Sequence, residues 1–202
     1  MEKNVYLFVC PEIADWEPAL AVAMISDRYT EIPKTHSYPV ITFGLTREPV
    51  KTFGGLTILP DVAVDDIDHE KTAMIILPGS SLYEKKDPAR LVPPIESCIR
   101  NNIPVAAICG ATLFLAKHGF LDSVRHTSAG PAWLKKHAPL CRGEGNYVHA
   151  LSVADRGIIT ANPPGFVEFA YNVIKTLDVL KPEFLEFWLG AVKRGYLNTD
   201  SF

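Results

Sequence analysis

Residues 5–10 form a near-continuous apolar run closed by Pro11, the pattern of a strand covered on both faces. A helix is expected next. Asp15 stands at its capping position, Pro18 falls in the first turn where a missing N–H costs little, and Leu20, Ala23 and Met24 recur at helical spacing. The same pattern predicts a strand over 40–44, a hairpin arm over 53–59 alternating around Gly54 and Gly55, and a buried strand over 73–77 stopped by Pro78 and Gly79. A helix is expected over 88–100, a buried strand over 105–109, and a helix over 110–118 closed by Gly119 at the position that favours glycine.

Further along, the chain predicts a short strand at 125–128, a helix over 131–137, and two strands within 147–161 turning at Asp155, Arg156 and Gly157. An amphipathic helix over 166–180 and another over 182–194 follow, the latter with Phe184, Leu185, Trp188, Leu189 and Val192 on one side. The aromatic spacing Phe184, Phe187, Trp188 and Tyr196 reads as core or subunit contact. No repeat or linker interrupts the series, so residues 1–202 read as one domain. Buried strands alternating with helices predict a doubly wound α/β sandwich with a mostly parallel sheet, which binds ligands beyond the carboxyl ends of its strands.

Composition narrows the function. The 202 residues suffice to bury one core of roughly 70% of the unfolded surface. A net charge of −3, with basic residues at most in pairs such as Lys85 and Lys86, argues against nucleic acid as a partner. The longest apolar run, from Ala19 to Ile25, has seven residues, too short to span a membrane. The first ten residues lack the apolar core and cleavage site of a secretory leader, which predicts a cytoplasmic protein. The cysteines at 10, 98, 109 and 141 show no metal-ligand or dithiol spacing, so neither metal nor organic cofactor is expected. The substrate is expected to be a small molecule.

The chemistry concentrates where strand meets helix, in Val105, Ala106, Ala107, Ile108, Cys109, Gly110 and Ala111. A cysteine on so sharp a turn projects free of both elements, small neighbours admit close approach, and the following helix start favours the thiolate. Cys109 is therefore the candidate nucleophile, expected to be acidic; the alternative is an inert cysteine closing a core strand. The turn after Leu77 places Ser80 where its N–H joins that of Gly110 on a developing oxyanion, unless it is plain Pro-Gly punctuation. Glu17 follows the first strand, either sharing a proton with Cys109 or complementing the helix dipole.

In chain order, Ala14 to Glu17, Phe53 to Thr57 with Asp61, Leu77 to Gly79, Ala107 to Thr112, Gly119 to Asp122 with His126 to Ser128, and Ile158 to Ala161 ahead of Glu168 resemble the ThiJ/PfpI family of the class I glutamine amidotransferase-like superfamily. The resemblance implies a flavodoxin-like three-layer α/β/α sandwich, an elbow cysteine at Cys109, its glutamate at Glu17, and a homodimer or larger homo-oligomer. Described activities in this family include peptidases, glyoxalases or deglycases, isocyanide hydratases and oxidative-stress proteins; fold is shared, reaction is not. In members with a Cys-His dyad the histidine follows a Thr-Thr pair, and that position here is Ala129, after Thr127 and Ser128. His126 lies three residues earlier, an offset that turns it to the opposite face of a strand, so its place as a third catalytic residue is open. The expectation is a cysteine-dependent hydrolase of protease type acting on a small carbonyl, amide or nitrile-like electrophile. The rivals are a non-catalytic redox sensor or stress chaperone using the same cysteine, and a glutaminase-like amidotransferase, which normally needs a late His-Glu pair.

Overall fold

The computed structural model describes residues 3–26, 28 and 32–194; Met1, Glu2 and Tyr196 lie outside them. Nine strands alternate with helices among these residues. They are β1 (Asn4–Phe8), β2 (Val40–Gly44), β3 (Val50–Lys51), β4 (Thr57–Ile58), β5 (Val62–Ala63), β6 (Thr72–Leu77), β7 (Val105–Ile108), β8 (Ser152–Asp155) and β9 (Ile158–Ala161). The helices are α1 (Trp16–Ile25), α2 (Leu82–Lys85), α3 (Val92–Arg100), α4 (Ala111–Lys117), α5 (Pro131–His137), α6 (Phe166–Thr176) and α7 (Pro182–Arg194).

Seven strands form one sheet in the order β5-β2-β1-β6-β7-β9-β8, parallel throughout except where β8 pairs antiparallel with β9. The inner strands β7 and β9 are buried at every position, as their apolar sequence requires with Thr160 of β9 the one polar exception, whereas edge strand β8 is only partly buried. From β1 the chain crosses to β2 on one side, and from β6 to β7 on the other. Crossovers of one hand then place α1 and α3 on opposite faces, and the reversal between β1 and β6 opens a crevice beyond their carboxyl ends. α1 packs on α6, which also covers β8 and β9, while α3 lies on β6 and β7. This is the mostly parallel flavodoxin-like α/β architecture expected. Among the described residues no helix is long and apolar enough to cross a membrane.

Five local expectations are corrected. Asp15 does not cap α1: its carboxylate instead accepts the Gly54 N–H at 2.7 Å, tying the helix start to the neighbouring hairpin. Gly54 and Gly55 are not inside an arm but in the turn joining β3 to β4, with Gly55 at φ +84° and its N–H bonded to the Thr52 carbonyl. The helix expected from residue 88 begins as a 3-10 turn over Ala89–Leu91 and becomes α-helical at Val92, because Pro93 and Pro94 lack N–H groups and fit only the first turn. The strand at 125–128 is a single bridge between His126 and Tyr147, since side chains take its ladder bonds: Asp155 accepts from Arg125 N–H and Thr160 Oγ1 from Thr127 N–H. The helix over 166–180 also stops early, at Thr176, where Asp178 turns the chain with φ 51° and returns Val179 and Leu180 to the core.

Candidate active site

Three strand ends meet at the crevice. β7 ends at Ile108, α4 starts at Ala111, and Cys109 between them adopts φ 57°, a left-handed conformation that costs an L-residue about 1–3 kcal/mol. Surrounding bonds hold it there. Its N–H donates to Ala161 O of β9 at 3.0 Å, and its carbonyl accepts from Thr112 N–H at 3.1 Å and Thr112 Oγ1 at 2.6 Å. The side chain is thereby lifted out of the strand line and left half-buried at a cavity of about 380 Å³.

Glu17, in the first turn of α1, is only 1% exposed. Its Oε2 accepts the Gly79 N–H at 2.6 Å, and the same carboxyl hydrogen-bonds the Cys109 thiol. Gly79 is what lets them meet. A Cβ there would stand 2.6 Å from Glu17 Oε2, 2.7 Å from Cys109 Cβ and 3.0 Å from Cys109 Sγ. Burial pushes the Glu17 carboxyl up to about 7.

The thiol does not have the low pKa expected from its elbow position. Burial first, then the charge and hydrogen bond of Glu17, push Cys109 up to about 12, against which the one Gly110 N–H on the sulfur counts for less. Near pH 7 the Glu17 carboxyl is therefore partly ionised while the thiol keeps its proton, so the negative charge the pair carries resides on Glu17, with the thiol as its donor.

Ser80 and Gly110 both line the cavity, and a Cβ on Gly110 would lie 2.7 Å from Ser80 O and 3.4 Å from Ser80 N, so the two backbones run in contact. The Ser80 hydroxyl donates to Pro11 O at 2.7 Å and accepts from Leu82 N–H at 3.0 Å, which fixes the turn after β6. Cys10 is buried in the core, its thiol hydrogen-bonded to Ser80 and pushed up to about 12 by burial.

His126 is not brought to this cavity. It is fully buried, its Nδ1 bonded to Val124 O at 2.9 Å, and it lines a separate hollow with Leu134, Cys141, Glu144 and Tyr147. Ala129, the position matching the dyad histidine of the resemblance, does line the Cys109 cavity. No residue with an imidazole lines it among those described. Nor does any group of three His, Cys, Asp or Glu among the described residues have the arrangement of a metal site.

The rim adds residues that periodicity did not single out. Trp16 and Phe53, 49% and 69% exposed, meet edge to face at 6.1 Å, and Trp133, Glu12 and Glu84 complete the mouth. Trp16 was legible only as the residue beside Glu17, and nothing in the sequence around Trp133 points to a site 24 residues beyond Cys109.

A family model described as the DJ-1/PfpI family matches residues 3–176. Uncharacterized protease YoaZ of Bacillus subtilis is 34% identical over 187 residues, covering 92% of this chain and 89% of that protein. The glutathione-independent glyoxalase DJR-1.2 of Caenorhabditis elegans is 27% identical over 143 residues, covering 69% of this chain and 73% of its own. The crystal structure of a thiJ/pfpI family protein from Bacillus anthracis superposes with a TM-score of 0.89 at 31% identity, over 97% of this chain and 92% of the other.

Proposed function

Because the chain belongs to the DJ-1/PfpI family, we propose that it is a cysteine-dependent enzyme of hydrolase type that acts on a small carbonyl, amide or nitrile-like electrophile, with Cys109 as nucleophile and Glu17 as proton carrier. The observation that carries this reading is the contact of the two side chains across Gly79 at the mouth of a cavity. Relatives named a protease and a glyoxalase both suit a thiol that adds to a carbonyl carbon.

A carboxyl poised near 7 is matched to proton transfer at neutral pH. As Cys109 Sγ bonds the electrophilic carbon, the thiol proton passes to Glu17 and the displaced electron pair collects on the substrate oxygen or nitrogen. In this reading the N–H groups of Ser80 and Gly110 bond that atom, supported by both residues lining the cavity with their backbones in contact. Glu17 then returns the proton to it, leaving a neutral thiol adduct. Addition needs no more than this pair. Expelling an amine from a peptide bond needs a second oriented proton donor, and His126 lies in another hollow. Small activated electrophiles are therefore favoured over peptides. Assembly as a homodimer or larger homo-oligomer belongs to the same proposal and is read by light scattering.

Turnover of methylglyoxal, an isocyanide and a peptide is the test, with wild type set beside Cys109→Ala. The expected result is turnover of a small substrate that Cys109→Ala abolishes. Turnover unaffected by Cys109→Ala overturns the assignment. No turnover, with stoichiometric peroxide oxidation of Cys109 by intact mass, replaces the enzyme with a redox sensor.

A further inference from the structure

The Cys109 cavity carries one sign of charge. Glu12, Glu17 and Glu84 line it, and no Lys, Arg or His does so among the described residues. Lys85, beside Glu84 in the chain, is spent on Glu12, to which its Nζ bonds at 2.8 Å while Ser81 holds the same carboxylate. Glu84 makes no ion pair among the described residues, and its charge is felt at the Cys109 sulfur. Ser80 and Ser81 are the uncharged polar residues of the lining, and the other uncharged side chains are apolar, led by Trp16, Phe53, Trp133 and Pro163.

An anion entering this cleft meets Glu84 and the partly ionised Glu17 with no counter-charge lining the cavity, in a space where apolar walls weaken screening. A cation meets the reverse. The exposed faces of Trp16 and Phe53 also attract an ammonium or guanidinium group through the ring quadrupole.

We propose that the cleft selects cationic over anionic electrophiles, Glu84 and the Trp16–Phe53 rim holding an ammonium or guanidinium group while Cys109 attacks a carbonyl of the same molecule. This rests on the reading of Cys109 as nucleophile. Substrates bearing carboxylates or phosphates are excluded by it, and Glu84 is a specificity residue that takes no part in proton transfer.

Charged methanethiosulfonates test it without a known substrate. The Cys109 sulfur attacks the sulfenyl sulfur, a protein S–S bond forms, the reagent's sulfur–sulfonyl bond breaks, methanesulfinate leaves, and the thiol proton passes through Glu17 to solvent. Aminoethyl (cationic), methyl (neutral) and sulfonatoethyl (anionic) reagents are compared in a Cys141→Ser background. Rates are followed by mass spectrometry of the Cys109 peptide and divided by each reagent's rate with 2-mercaptoethanol.

The cation-to-anion ratio should exceed about tenfold at low salt and shrink as ionic strength rises. Glu84→Gln should lower it several-fold, and Trp16→Ala should slow the cationic reagent relative to the neutral one. A ratio near one, or a ratio unchanged in Glu84→Gln of intact fold by circular dichroism, overturns charge selection while Cys109 stands as nucleophile. Failure of all three reagents to modify Cys109 overturns the nucleophile reading itself, and charge selection with it.

Discussion

Gly79→Ala isolates the contact between Glu17 and Cys109. Gly79 is not among the glycines of positive φ, so alanine meets no backbone strain and its only new feature is a methyl group. That methyl would stand 2.7 Å from Cys109 Cβ and 2.6 Å from Glu17 Oε2, whereas carbon atoms rest at about 3.5–4.0 Å. The pair must open by about 1 Å. Overpacking of this kind costs about 1–3 kcal/mol, and for a chain of this length each kcal/mol lowers Tm by roughly 2–4 °C. A displacement of about 1 Å between reacting groups costs on the order of 10²-fold in rate. Scanning calorimetry and the second-order rate of Cys109 alkylation by iodoacetamide at pH 7 measure the two effects. Gly145→Ala is the control, since nothing lies within 4 Å of a Cβ there. An unchanged alkylation rate alongside an unchanged Tm would refute the argument that Gly79 brings the two side chains together; a lower Tm alone would show crowding without proton transfer.

Glu17→Gln should remove a rate inflection near pH 7 in Cys109 alkylation, because burial raises the Glu17 carboxyl from its ordinary 4.5 to about 7. The same shift has a stability consequence of definite sign. The folded state holds this proton more tightly than the unfolded one, so the contribution is full below about 4.5 and is lost as pH rises to about 7, on the order of 3 kcal/mol. Urea unfolding at pH 5 and pH 8 should show a smaller difference for Glu17→Gln than for wild type; equal differences would count against the raised carboxyl. His126→Ala should leave small-substrate turnover within a few-fold of wild type, and a fall of about 10²–10⁴ with the fold intact would restore a histidine to the mechanism. Asp15→Ala frees the Gly54 N–H and should speed amide exchange at Gly54 and slow the cationic reagent at Cys109 as Phe53 loses its place on the rim; unchanged exchange at Gly54 would argue against that tie.

The sequence by itself determined the order of the long core strands and helices and the sharp turn at Cys109. A short apolar run such as 105–108, rich in small and β-branched residues and followed closely by a glycine, reads as a strand covered on both faces, and Gly110 and Ala111 leave room for a sharp turn into the next helix. Those signals are local, spaced within a few residues. What lies across the crevice is not local. Asp15 looks like a cap until the β3–β4 turn offers it the Gly54 N–H, and Thr127 looks like a strand residue until Thr160 supplies its acceptor. The thiol's pKa also escaped the sequence, because a helix start and the Glu17 partner are visible in the chain whereas the burial that raises the thiol most is not. His126 and Ala129 are three residues apart in sequence yet line different cavities. Only the packed structure decides which side chains share a dielectric, and a proton can pass only between groups that do.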